Sequence, residues 1–248
     1  MKKLIHLKKE EQQLMPLFDN AFIENKPIPF PDRFGTTAYS NLFYWAHLEA
    51  FETSAFPLHP HEGFEIMTFV LKGDVEHYDT ATKVWTPLKE GDVQVIQAGS
   101  GVQHSEKVKK GGRLFQIWFD PDFSKSIIED ATYQDYKKEQ FKTIELHGVK
   151  RLTYLKPNGI ISSITPNIGI EKLTFEKGSY QEILDENYTY SCYILDGNIK
   201  IDNTFLTKDD FFVLNETKKI TFYIQEKAEV FIIKSLTKIE YDRFINRY

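Results

Sequence analysis

The chain has 248 residues, 36 acidic against 31 basic, and a formal net charge of −5. The two signs are interspersed, which leaves no large positive field for a nucleic-acid backbone. A single cysteine excludes an intrachain disulfide and suits a reducing compartment. No stretch reaches the apolar length of a membrane span or a secretory leader, so a soluble cytoplasmic protein is expected. With 13 Tyr, 20 Phe and no long helical period, the composition predicts mainly β structure with few short helices.

Taken in order, residues 1–32 hold one apolar alternation and then Pro27, Pro29 and Pro31 alternating with Ile28 and Phe30, an extended segment set by fixed φ angles and missing donors. Residues 42–56 predict two aromatic-rich strands broken by a polar turn at 52–54. The run 64–71 predicts an apolar strand that turns at Lys72-Gly73-Asp74 into a second strand at 75–79. Strands follow at 84–88, 93–96 and 113–119, and this rhythm of short strands and turns describes a barrel or sandwich. Lys107, Lys109, Lys110 and Arg113 read as a solvated hairpin tip. Residues 120–150 mix Ser, Lys, Asp and Glu with scattered aromatics and read as a linker, with a helical turn and a strand crossing between halves.

Three of the seven histidines fall in two short runs, His59-Pro60-His61-Glu62-Gly63-Phe64-Glu65 and Ala98-Gly99-Ser100-Gly101-Val102-Gln103-His104-Ser105-Glu106. In each run the ligand-type residues are two apart, so on a strand they share a face about 7 Å apart. Two imidazoles from one strand could meet an imidazole and a carboxylate from another. That thiolate-free, nitrogen-rich set suits Fe, Mn, Ni, Cu or Zn rather than Ca or Mg. Glu65 competes with Glu106 for the carboxylate place, since it has the parity of His59 and His61 if pairing runs unbroken through Gly63. Periodicity does not choose between them. His77 is a candidate to stand behind the ligands, while His47 and His147 read as ordinary strand and surface residues.

The second half repeats the first. Residues 51–56 lie over 175–180, and 69–75 lie over 193–199 at the same offset, which predicts domains at 1–140 and 141–248. Carrying the spacing on sets Ile183 against His59, Asp185 against His61, Phe222 against His104 and Ile224 against Glu106. A metal site in the first copy and apolar core in the second is therefore expected.

His59-Pro60-His61-x-Gly63-Phe64-Glu65, the hairpin from Val70 to Asp79, Gly91-Asp92-Val93-Gln94 and the 98–106 run resemble the pirin family of the cupin superfamily. Gln116-Ile117-Trp118 and Tyr133-Gln134 extend the likeness. It is specific over 56–119, and Glu62 departs from it where a basic residue is common. The resemblance implies two tandem cupin β-barrel domains (a bicupin), with a metal, most often Fe(II), on His59, His61, His104 and Glu106. Four such ligands leave open coordination positions, the mark of a catalytic site. The prokaryotic branch further implies a quercetin 2,3-dioxygenase-like reaction of dioxygen with a flavonol or other small enediol-like aromatic, in which Glu106 also acts as the base. The other implied class is a metal-loaded regulatory protein that binds a protein partner. The aromatic residues Phe56, Phe64 and Trp118 near the ligands suit a flat apolar molecule.

Overall fold

The computed structural model describes residues 3–30, 38–80, 82–155 and 159–247. Strands dominate, and the described helices are one four-residue α-helix, Phe123–Ser126, and short 3₁₀ turns. The predicted hairpins form as Glu65–Lys72, Asp74–Asp79, Trp85–Lys89, Val93–Gln97 and Arg113–Phe119. Pro27 and Ile28 close the strand Phe22–Ile28, whereas Pro31 lies outside the described residues.

Contacts divide the chain into two compact units that are discontinuous in sequence. One comprises Gln13–Gln140, Ser163–Pro166 and Glu240–Tyr248; the other comprises Met1–Gln12, Phe141–Ser162 and Asn167–Ile239. The chain thus crosses at more places than a single boundary near 140. Thr132–Tyr136 stays with its own half and pairs with Val93–Gln97. The strand that leaves its sequence half is Lys3–Leu7, which pairs with Phe211–Asn215.

Each unit sets a seven-stranded antiparallel sheet against a smaller one, the two-layer solution for strands with one apolar face. The repeat is visible in a shared irregularity. Arg113 and Leu114 pair with Lys72 and Val70, skipping Leu71, while Glu229 and Val230 pair with Asp196 and Ile194, skipping Leu195. Strand pairing also corrects the equivalences drawn from constant spacing. Val108 faces Ser54 and Val75 as Ile224 faces Gly178 and Ile199, so Phe222 and Ile220 match Glu106 and His104, and Glu182, which faces Ile220, holds the place of His59. The spacing fails because the first copy inserts an extra residue where Lys107 faces Ala55 but His104 faces His59. Ile183 is accordingly 76% exposed rather than core, although Phe222 and Ile224 are buried as expected.

The first unit is filled in layers. Phe22, Leu48, Val70, Val75, Leu88, Val108 and Leu114 close one end. Phe43, Phe64, Ile66, Ile96 and Phe244 pack the other, and buried polar groups, His77, Gln94, His104 and Glu106 among them, lie on strands of the same unit.

Phe244 arrives from far along the chain and is held by Asp120. The Asp120 carboxylate accepts from the amides of Phe244 (2.7 Å) and Ile245 (3.1 Å), and its carbonyl accepts from Tyr241 Oη at 2.9 Å. Burial nevertheless pushes the Asp120 carboxyl up to about 6, against about 3.9 in an unfolded chain. The folded protein therefore binds more protons between those values, and stability falls as pH rises through the window. Asp120→Asn removes the titration, so its stability relative to wild type should rise between pH 4 and pH 7 in urea unfolding. A difference independent of pH overturns this account.

Candidate metal centre

Val102–Val108 is the strand on which the site is built. It pairs on one edge with His59–His61 and on the other with Asp74–Asp79. Alternation turns Val102, His104, Glu106 and Val108 to the buried face. The pairing sets His104 opposite His59 and Glu106 opposite His77.

The three histidines converge through the same atom. His104 Nε2 lies 2.9 Å from His61 Nε2 and 2.9 Å from His59 Nε2. His59 Nδ1 is 2.8 Å from the carbonyl of Pro57, which can only accept, so that nitrogen carries the proton and Nε2 of the neutral ring is left with its lone pair. His104 Nδ1 is 3.3 Å from Nε2 of His77, the fully buried neighbour behind it. Tyr133 stacks on the His77 ring at 5.0 Å. Burial, and then the mutual repulsion of the rings, pushes His61 down to about 2 and His104 well below the usual imidazole range. His59 Nε2 keeps its lone pair, and it and His61 Nε2 both face His104 Nε2, a nitrogen-only cluster of the kind that a cation satisfies.

The two carboxylates differ. Glu106 is buried and accepts from Gln116 Nε2 at 2.7 and 2.8 Å and from Thr68 Oγ1 at 3.4 Å. It stands outside the group of His59, His61 and His104, whose ligand atoms lie within 4.8 Å of one another. Glu65 is 0% exposed and accepts from Ser163 Oγ (2.5 Å), Thr165 Oγ1 (2.9 Å), the amide of Ile164 (3.2 Å) and Gln97 Nε2 (3.4 Å). The parity argument for Glu65 does not hold, because Gly63 adopts φ +76° and ends the run from His61. Glu65 instead opens a strand of the seven-stranded sheet.

Beside His61 opens a cavity of about 890 Å³, with Phe30, Phe64, Val102, Trp118 and Phe244 among its walls and Glu62 at its lip. Phe64 and Trp118 were legible as candidates. Phe56 is not in the wall; it packs with Phe18 and Phe22. Phe30 and Phe244 were missed, and no local pattern marks them, since both reach the cavity through tertiary packing. His47 is a packed strand residue bonded to Arg113 (3.2 Å to Nε), and His147 sits in an exposed turn. Lys107, Lys109, Lys110 and Arg113 each pair with an acid, Glu76, Asp74, Glu52 and Glu49 respectively. Among the described residues no helix is long and apolar enough to cross a membrane.

A tandem of two-sheet units, one of them with three imidazoles converging beside an aromatic cavity, defines a bicupin. Residues 23–119 match the Pirin family model, the family that the motifs resemble. "Pirin-like protein 2" of Arabidopsis thaliana is 32% identical over 152 residues, 58% of this chain and 46% of that protein. The chain spans about half the length of the plant pirin-like relatives it matches. The quercetin 2,3-dioxygenase of Escherichia coli (strain K12) is 26% identical over 185 residues, 71% of this chain and 74% of that enzyme. In fold, the chain resembles the E. coli pirin YhhW, solved in complex with nickel(II), with a TM-score of 0.78 at 19% identity over 95% of this chain and 100% of that one.

Gly63 links the histidine strand to the cavity wall. Its amide donates to the Gly99 carbonyl at 2.8 Å and its carbonyl accepts from Ser126 Oγ at 2.6 Å. A Cβ there would collide with the Phe123 ring and force an L residue into the left-handed region. Gly63→Ala should cost about 1–3 kcal/mol in urea unfolding; an unchanged midpoint would show that the turn tolerates a side chain.

Proposed function

We propose that the protein is a metal-dependent dioxygenase acting on a flavonol or related enediol-like aromatic, with quercetin 2,3-dioxygenation as the leading reaction. His59, His61, His104 and Glu106 hold one divalent transition metal, Fe(II) first, with Mn, Ni, Cu and Zn also suited to the donor set. The observation that carries this reading is the convergence of three Nε2 atoms beside a cavity walled by aromatic rings. Its volume of about 890 Å³ falls within the range of small-molecule sites. The quercetin dioxygenase and the nickel-bound pirin among its relatives support the same direction.

When bound, the ion supplies an open-coordination Lewis acid for a substrate enolate and dioxygen. The remaining work is done by the chain. Phe30, Phe64, Trp118 and Phe244 bind a flat ring system and shield it from water. Glu106 accepts the substrate hydroxyl proton, its oxygens steadied by Gln116. His77 holds His104 from behind.

Two measurements test this reading. Elemental analysis should find one transition metal per wild-type chain and little in His59→Ala/His61→Ala, and Glu106→Gln should weaken metal binding more than Glu65→Gln. Metal retained at the wild-type level in the double variant removes the assignment. Metal-loaded protein given quercetin in air should bleach the flavonol band and consume dioxygen faster than the same metal free in buffer, and His104→Ala should not. No acceleration across several flavonols would leave the alternative, a metal-loaded regulatory protein with a protein partner.

A further inference from the structure

Gln116 lies on Arg113–Phe119, with Thr68 and Ala46 as its neighbours across the sheet. Trp118, two residues on, shares its face and forms part of the cavity wall. The indole is clamped by Tyr44, stacked at 4.0 Å and 23°. Its Nε1 donates to Gln116 Oε1 at 3.1 Å, and the Gln116 amide nitrogen donates to both oxygens of Glu106, at 2.7 and 2.8 Å.

The direction of this chain is fixed by chemistry. An indole nitrogen is a donor only, so the Gln116 atom facing it must be the carbonyl oxygen. The amide nitrogen is then turned to Glu106. With the amide reversed, its oxygen would oppose the carboxylate oxygens and its nitrogen would oppose the indole N–H, losing bonds at both ends. The orientation of Glu106 is thus set from the cavity wall through a side chain that is not itself part of the cavity lining.

We propose that Gln116 is a positioning residue: oriented by Trp118, it fixes the Glu106 carboxylate for the metal centre and ties that carboxylate to the wall against which an aromatic ligand would stack. The inference rests on the reading of Glu106 as a ligand. Partners that orient a ligand from behind are typically worth about 10–100-fold in metal affinity.

The test uses cobalt(II), titrated into metal-free full-length protein in competition with a chromophoric chelator. Gln116→Met keeps the volume and loses both bonds; it should bind cobalt about 10–100-fold more weakly, with altered cobalt absorption bands. Trp118→Phe keeps a ring against Tyr44 while losing the N–H and part of the indole's bulk, so it should shift affinity and spectrum in the same direction, by about tenfold or less. Thermal unfolding of the metal-free forms checks that both variants are folded. If both bind cobalt as wild type does while Glu106→Gln binds weakly, the positioning role is wrong and the metal assignment stands. If Glu106→Gln also binds as wild type does, Glu106 is not a ligand and the inference falls with that reading.

Discussion

Backbone pairing of Val102–Val108 along both its edges is the constraint on which the histidine-bearing unit depends. One edge brings His59 opposite His104, the other brings His77 opposite Glu106, and the two-residue period of the strand turns His104 and Glu106 inward together. A slip of one residue would send both to the opposite face. Val102 and Val108 resist it, because each is buried in an apolar layer, Val102 with Phe64 and Ile96 and Val108 with Leu88 and Leu114. Ordinary hydrophobic burial at the two ends of the strand thereby places the polar chemistry between them.

That chemistry is costly to keep in an interior, since a buried polar group without a partner is strongly unfavourable. Most of it is satisfied here: Glu106 by Gln116 and Thr68, His59 by Pro57, Glu65 by four donors. Among the described residues, His77 Nδ1 and Gln94 Oε1 lack a hydrogen-bond partner, and the three converging Nε2 atoms have only one another. The second copy shows the cheaper solution, with Ile220 and Phe222 at the matching positions of its own core. The framework does not need histidines, and their presence in one copy only points to function rather than folding.

Much of this was written in local sequence. Turn residues and alternation located the hairpins, and the paired ligand spacing located the histidines. The failures share a cause, which is that local pattern carries no information about partners far along the chain. Ile183 was misassigned because register follows an inserted residue on the facing strand, not a constant offset. Glu65 looked equivalent to Glu106 by parity until the left-handed turn at Gly63 moved it into the other sheet. Phe244 and Ser163 stand more than a hundred and nearly a hundred residues, respectively, from the groups they serve, and their roles exist only in the folded chain.

The anchoring of late segments to early ones bears on the order in which the protein can be made. Glu65 and Asp120 are acids of the first half, yet, Gln97 apart, the donors to their carboxylates come from residues 163–165 and 244–245. A growing chain that has emerged only to Gln140 has every strand of the histidine-bearing unit but neither set of donors. Its barrel would bury one carboxylate whose Ser, Thr and amide donors are still missing and would lack the Phe244 wall of its cavity. The histidines can therefore be assembled early in synthesis, while the aromatic chamber beside them closes only when the far end of the chain arrives. Translation itself thus separates the assembly of the histidine cluster from the closing of the cavity beside it.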